Sequence, residues 1–150
     1  MISTALADFS DKKAIENESN ALITNANLET LSDINLKQVL DTHHLLKKKL
    51  QIEMSGAGSG NLDIIVLSQD NACAIGKWLY GEGKSLYGHL PEYESARKVH
   101  AELHLCAGEV LSEHYIGNLD QAQFLFKTKF RTSSSKNQME FTRLFSAAKA

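Results

Sequence analysis

Apolar residues recur at intervals of three and four positions through most of the chain, and this spacing predicts amphipathic helices. The clearest stripe begins after Ser32 and Asp33, which together are typical of a helix N-cap, and it continues to about Met54. One face of this helix carries the residues Leu36, Leu40, His43, Leu46 and Leu50. The glycine-rich run at 55–60 should end the helix, because glycine is poor at holding helical backbone in place.

Three further helices are expected downstream. Asp63, Pro91 and Asp120 each suit a helix start, and Pro91 is placed where proline is best tolerated, in the first turn. The expected elements are a helix over 63–80, a loop over 82–90, a helix over 91–115, and a fourth helix from 120 with a kink or break at 131–136. Four helices with short connections predict an all-α, antiparallel four-helix bundle over residues 32–150. Residues 1–31 are polar with weak periodicity, which indicates a flexible N-terminal arm.

Composition excludes several classes of function. The formal net charge is -2, and the single basic run Lys47–Lys49 is too short for a nucleic-acid surface. Two cysteines, Cys73 and Cys106, are too few for a disulfide framework and indicate a reduced, cytoplasmic protein. No segment approaches the roughly 20 apolar residues of a membrane span, and the acidic N-terminus does not resemble a secretory signal.

Candidate metal ligands are distributed over three of the expected helices. His100 and His104 are four residues apart, so their side chains lie on the same helix face within reach of one ion. His43 interrupts a leucine stripe on another helix, and Cys73 lies on a third. Each residue alone is an ordinary core residue, but three imidazoles and a thiolate on facing helices are a zinc ligand set. His44 adjoins His43 and leaves the register of that ligand open, although it points about 100° away on a helix.

The segment Cys73-Ala74-Ile75-Gly76-Lys77-Trp78 resembles the Cys-x-Leu/Ile-Gly-x-Trp signature of the chemoreceptor zinc-binding (CZB) domain family. The segment from His43 to Leu50 is similar to that family's His-x-x-Trp-Lys-x-x-Leu element, with Leu46 in place of the tryptophan. The pair His100 and His104 is similar to its His-x-x-x-His element. The resemblance extends over about residues 33–148 and implies that His43, Cys73, His100 and His104 bind Zn²⁺.

Three neighbouring residues would support the site. Gly76 lies one turn after Cys73, and its missing side chain would let a neighbouring helix approach, unless it is simply a tolerated helix glycine. Asp70 could accept a hydrogen bond from a ligand imidazole and so fix its tautomer, or it could be a solvated helix residue. Trp78 is expected to pack in the core or in a dimer contact.

The resemblance implies a regulatory role. Members of the family accompany chemotaxis receptors or diguanylate cyclases in bacteria, often as symmetric dimers, and respond to zinc or to oxidants such as hypochlorous acid through the zinc-bound cysteine. Four protein ligands leave no open metal position, so we expect no enzyme activity. The chain carries no recognisable output domain and should act in trans, unless it is part of a longer protein. Two alternatives are an adaptor bundle with purely structural zinc and a haemerythrin-type iron bundle. The latter needs further histidines and bridging carboxylates that the sequence does not offer.

Overall fold

The computed structural model describes residues 30–31 and 34–150, which form a helical bundle with a short strand pair at one end. Strand β1 (Thr30–Leu31) pairs antiparallel with β2 (Ile34–Asn35), and Leu31 lies opposite Ile34. The expected flexible arm at 1–31 lies outside the described residues apart from β1, and it remains a prediction.

Seven α-helices and one π-helical turn make up the rest of the described chain. The helices are α1 (Leu36–Met54), α2 (Ile64–Ser68), α3 (Ala74–Tyr80), α4 (Glu82–Tyr87), α5 (Pro91–Tyr115), α6 (Leu119–Leu125) and α7 (Arg131–Lys149), and the π-helical turn Phe126–Phe130 joins α6 to α7. The all-α prediction is confirmed, as are the C-terminal end of α1 and both ends of α5.

The first helix begins at a different cap from the one expected. Asn35, not Ser32 or Asp33, is the N-cap of α1, and its side chain accepts a hydrogen bond of 2.8 Å from the backbone N–H of Gln38. The Gln38 side chain in turn accepts a hydrogen bond of 2.8 Å from the backbone N–H of Asn35. This reciprocal pair satisfies two backbone donors at once, which explains why the helix starts here. Ser32 and Asp33 themselves lie outside the described residues.

Three other expectations about the elements were wrong. The helix expected over 63–80 is divided into α2 and α3 by a non-helical stretch at 69–73, where Gln69 and Cys73 have extended backbone. The loop expected over 82–90 contains α4. No break occurs at 131–136, because α7 is continuous there and the irregularity lies earlier, in the π-helical turn.

Buried apolar side chains form two clusters, and their membership gives the helix directions. The first core includes Val39, Ile75, Leu79, Tyr93, Ala96, Phe141 and Leu144. The second core includes Leu46, Leu50, Leu103, Val110, Leu111, Ala122 and Phe130. Helices α1 and α5 therefore run from the first core to the second, whereas α2 with α3, and α6 with α7, return. The result is the up-and-down antiparallel bundle that the sequence predicts, with short helices in its second position.

Among the described residues, no helix combines the length and the apolar character needed to cross a membrane.

Candidate metal centre

Four side chains meet between the first and second cores: His43 from α1, Cys73 from the start of α3, and His100 and His104 from α5. One nitrogen or sulfur atom of each residue lies within 4.8 Å of those of the other three. The imidazoles are buried, with His100 fully inaccessible, while Cys73 is partly buried. The structure thus brings together the four residues that the sequence singles out. His44 is exposed on the outer side of α1 and takes no part in the cluster.

The spacing of the donor atoms fits a tetrahedral ion. The Sγ atom of Cys73 lies 3.4 Å from Nε2 of His100. Zinc bonds of about 2.0 Å to nitrogen and about 2.3 Å to sulfur place the two donors about 3.5 Å apart in a tetrahedron. This pair is therefore already at the separation that a shared zinc ion requires. The separations in the cluster reach at most 4.8 Å, which exceeds that value by about 1.3 Å, and side-chain rotations can close this difference.

Unpaired buried nitrogens supply an independent argument for a metal. Nε2 of His43 and Nε2 of His104 are buried and have no hydrogen-bond partner among the described residues. Buried polar atoms are nearly always paired, so two such atoms facing one cluster need an explanation. A bound cation would satisfy both. Three nitrogens and one sulfur, with no carboxylate in the cluster, suit Zn²⁺ and fit neither calcium nor a carboxylate-bridged iron pair.

The orientation of His104 is set by the backbone of α2. Its Nδ1–H donates to the carbonyl oxygen of Leu67 at 2.9 Å, which leaves the lone pair of Nε2 free to face the cluster. The sequence left two roles open for Asp70: a carboxylate that binds a ligand imidazole in this manner, or a solvated helix residue. Instead the Asp70 carboxylate accepts a hydrogen bond from the hydroxyl of Tyr80, and the carbonyl of Leu67 orients the imidazole.

The orientation of His43 depends on a residue that the sequence analysis missed. Nδ2 of Asn137, on α7, lies 3.1 Å from Nδ1 of His43, and Asn137 is only 2% exposed. Oδ1 of the same amide has no partner among the described residues. Because Asn137 follows His43 by 94 residues, no local pattern links the two. Its only sequence signal is a polar side chain on the apolar face that continues to Phe141 and Leu144.

The amide of Asn137 has two orientations with different consequences for the metal. With Nδ2 toward the ring, Nδ1 of His43 is the acceptor and Nε2 carries the proton. With Oδ1 toward the ring, Nδ1–H is the donor and Nε2 has a free lone pair, as metal binding demands. Binding of zinc by Nε2 of His43 therefore requires the second orientation, which turns the amide nitrogen away from the ring.

Cys73 occupies the N-cap of α3, not the helix interior. Its Sγ atom accepts a hydrogen bond of 3.3 Å from the backbone N–H of Gly76. A Cβ atom built on Gly76 would lie 1.6 Å from the carbonyl oxygen of Asp70, which is an impossible contact. Gly76 therefore admits the backbone of the preceding 69–73 segment, and not a neighbouring helix as we expected.

Trp78 is buried in the first core, where its ring lies 6.2 Å from Tyr87 and 6.3 Å from Phe145 between ring centroids. It is not a member of the metal cluster. This position agrees with the core role expected for Trp78.

Burial controls the charge of the four clustered side chains. It lowers the pKa of His100 to about 3, with a further contribution from the neighbouring His104. Burial likewise lowers the pKa of His43 and of His104. All three imidazoles are therefore neutral at pH 7 and can donate lone pairs to a cation. Burial raises the pKa of the Cys73 thiol, and the Gly76 N–H opposes this shift only in part. Cys73 thus keeps its proton until a metal displaces it.

A helical bundle with a closed His₃Cys cluster in its interior defines a metal-binding domain and offers no catalytic metal position. Residues 43–111 match the family model of the chemoreceptor zinc-binding domain (CZB), and this segment contains all four clustered residues. The resemblance inferred from the Cys73 motif is thereby confirmed over that segment, and zinc is the metal that the family and the donor set specify. No curated protein and no solved structure matches the chain.

Proposed function

We propose that the chain is a zinc-binding sensor domain of bacterial signalling, with His43, Cys73, His100 and His104 as the four ligands and no catalytic activity. The observation that carries this proposal is the completeness of the cluster. All four tetrahedral positions can be filled from protein side chains, three of them buried and the fourth, Cys73, partly buried, and the Cys73 sulfur would bind as a thiolate. A site without an open position does not activate water, but it holds an oxidisable sulfur in a defined place.

Cys73 is the residue through which an oxidant would act. With zinc bound, the Cys73 sulfur would stay a thiolate, which is the nucleophilic form. In the reaction with hypochlorous acid, the thiolate loses two electrons and gains oxygen, yielding sulfenic acid and chloride. The sulfenic acid would be a poorer ligand than the thiolate, so the imidazoles of His43, His100 and His104 would remain to hold the ion. Cys73 is partly exposed as a residue, and a small oxidant would approach its sulfur from the exposed side.

The 67–73 segment would carry the change away from the site. Its first residue, Leu67, orients His104 through the backbone carbonyl, and its last residue, Cys73, supplies the sulfur. Loss of the zinc–sulfur bond would release the Cys73 end of the segment from α5 and leave the hydrogen bond between Leu67 and His104 as its remaining attachment. Helices α2 and α3 could then repack against α5, and a partner would read the difference between the two arrangements.

The proposed partners are a second copy of this chain and a chemoreceptor or diguanylate cyclase contacted in trans, in the cytoplasm. Support comes from the family resemblance and from apolar side chains that α2 leaves exposed. Ile65 is 71% exposed, Val66 is 51% exposed, and no residue of α2 is buried. Light scattering should report a dimer, and Ile65→Asp should shift it toward monomer if α2 lies at the contact.

Elemental analysis of the purified protein tests the ligand set. We expect one zinc per chain, and loss of zinc when any one of the four proposed ligands is replaced in turn. His44→Ala is the matched control for His43→Ala and should keep its zinc. Iron in place of zinc, or a Cys73→Ser protein with full metal affinity, would overturn the proposal.

A second experiment separates a sensor from an adaptor with structural zinc. Stoichiometric hypochlorous acid is added to zinc-loaded protein, and a chromophoric chelator reports the zinc released. Release should persist in Cys106→Ser, whose thiol is buried away from the cluster in the second core. The zinc-free protein should keep its helicity by circular dichroism. A chain that unfolds when zinc leaves has a structural metal, and the sensor proposal then fails.

A further inference from the structure

A groove of about 410 Å³ lies beside the metal cluster, on the outer side of His43. Its walls are α1 on one side and the π-helical turn with the first two turns of α7 on the other. This volume falls within the range typical of small-molecule sites. The groove shares His43 and Asn137 with the interior of the bundle, whereas its other lining residues play no part in the zinc site.

The charged residues that line the groove all have the same sign. Lys47 projects from α1, Lys127 from the π-helical turn and Arg131 from the start of α7, and no carboxylate of the described residues lines the groove. None of these three cations forms a salt bridge with an acid of the described chain. Hydroxyl groups of Ser134 and Ser135 lie on the same wall. A guanidinium with two ammonium groups and nearby hydroxyls is the chemistry that recognises a phosphate dianion.

Asn137 gives a second, independent sign that a ligand belongs here. It is 2% exposed, it lines the groove, and only one of its two polar amide atoms has a partner. When His43 binds zinc, the amide oxygen faces Nδ1–H, so the unpartnered atom is the amide nitrogen. A buried N–H donor without a partner is costly, and an anion that displaces the atoms covering this amide at the floor of the groove would satisfy it.

Part of the second wall of the groove, the π-helical turn, is aromatic. Phe126 and Phe130 stack with ring centroids 5.3 Å apart and an interplanar angle of 10°. Both belong to the π-helical turn, a distortion that often occurs at functional sites. An apolar wall beside a cationic one suits an organic molecule that carries a phosphate group.

We propose that this groove binds a small phosphate-bearing organic anion, held by Lys47, Lys127 and Arg131 and contacted by Asn137. The shared Asn137–His43 contact also couples the groove to the metal, because the amide orientation that suits zinc is the one that offers a donor to the anion. Binding of the anion by the three cations does not depend on the proposed zinc ligands, but the Asn137 contact and this coupling rest on them. By linkage, an anion that binds the zinc-loaded protein more tightly also tightens zinc binding by the same factor.

Calorimetric titration of the full chain tests the site, with phenyl phosphate as the probe. Inorganic phosphate lacks the ring, and benzenesulfonate has the ring with a single charge, so both should bind more weakly. Lys127→Gln combined with Arg131→Gln removes two groove cations and should weaken phenyl phosphate binding at least tenfold. Lys48→Gln combined with Lys136→Gln makes the same change in net charge at exposed positions outside the groove and should leave affinity unchanged.

The outcomes separate the groove from the zinc proposal. Severalfold tighter binding of phenyl phosphate to zinc-loaded than to zinc-free protein is expected, and equal affinity would overturn the coupling. Absence of saturable binding at millimolar probe would overturn the groove site, as would an equal loss in the control pair. Binding of an acidic peptide in place of phenyl phosphate would also overturn it. None of these results changes the zinc content, so failure here is distinct from failure of the zinc site.

Discussion

Gly76→Ala places one methyl group where the fold permits none. The added Cβ would lie 1.6 Å from the carbonyl oxygen of Asp70, and real Cβ contacts are essentially never under 3.0 Å. The Asp70 backbone must therefore retreat by at least 1.4 Å, the difference between those two distances. Cys73 lies only three residues further on, and its Sγ bonds to the Gly76 N–H, so the sulfur is displaced as well.

A zinc–sulfur bond of about 2.3 Å does not tolerate a displacement on that scale. We expect Gly76→Ala to weaken zinc binding by about 10- to 100-fold, the range found when residues that orient metal ligands are replaced. The change in the free energy of unfolding should have the opposite sign to the change that helix propensity predicts. Alanine in place of a helix glycine ordinarily stabilises by about 1 kcal/mol, whereas overpacking here should destabilise by about 1–3 kcal/mol.

Competition with a chromophoric chelator measures the affinity, and urea denaturation of the zinc-free protein measures the stability. Gly108→Ala is the matched control, because its Cβ would meet the Ser68 hydroxyl at 1.8 Å. That hydroxyl can rotate away at the expense of its 2.7 Å hydrogen bond to Ile64, which is worth about 1 kcal/mol. Zinc affinity close to that of the parent in Gly76→Ala, together with a gain in stability, would refute the packing argument.

Four further predictions follow from the site and its surroundings. Zinc binding at pH 7 should release about one proton, from Cys73, because the imidazoles are already neutral. Calorimetry in buffers of different ionisation enthalpy measures the number of protons released. Release of two or more protons would contradict the lowered histidine pKa values. Asn137→Leu should weaken zinc binding about tenfold, because it removes the contact with His43. Gln138→Leu, at the exposed neighbouring position, should leave zinc affinity unchanged. Equal effects of the two substitutions would show that Asn137 does not orient His43. The free energy of unfolding of the zinc-free protein should be highest above about pH 6.5, where the histidines of the unfolded chain are neutral. It should fall as the pH drops from there toward the folded His100 pKa of about 3, because only the unfolded chain binds the proton in that window. A urea midpoint that stays constant from pH 7 to 4 would contradict this. Tyr115→Phe removes a hydroxyl that donates to the buried Glu53 at 2.8 Å and accepts from the Leu62 N–H at 2.8 Å. The free energy of unfolding should therefore fall by about 1–3 kcal/mol. The control Tyr87→Phe should leave the free energy of unfolding unchanged.

The sequence predicted the members of the metal cluster better than the backbone that presents them. Cys73 was found through a compact motif, and His100 with His104 through spacing on one helix. The prediction of a continuous helix over 63–80 was wrong. Apolar content does not reveal that Cys73 caps α3 and thereby places its sulfur beside His100. The polar triplet Gln69-Asp70-Asn71 was the available signal, since Asp and Asn favour turns.

Other features had no local signal at all. The contact of Asn137 with His43 depends on how α7 packs against α1, which periodicity does not specify. The serine-rich stretch 131–136 suggested a break, but serine is tolerated in a helix when tertiary contacts hold it, and Ser133 is buried against its neighbours. The π-helical turn Phe126–Phe130 consists of residues with ordinary helical preferences, so helix propensity could not have located it.

The placement of the four ligands along the chain also bears on how the protein assembles. His100 and His104 belong to one helix and come together as soon as α5 forms. His43 and Cys73 are 30 residues apart, the difference between their numbers, and Cys73 is 27 residues from His100. Closing loops of that length costs entropy, so ion capture should begin at the α5 pair and end with the distant residues. Once bound, the ion acts as a cross-link across residues 43–104. Amide hydrogen exchange in that span, and not in the later helices, should slow most when zinc is added.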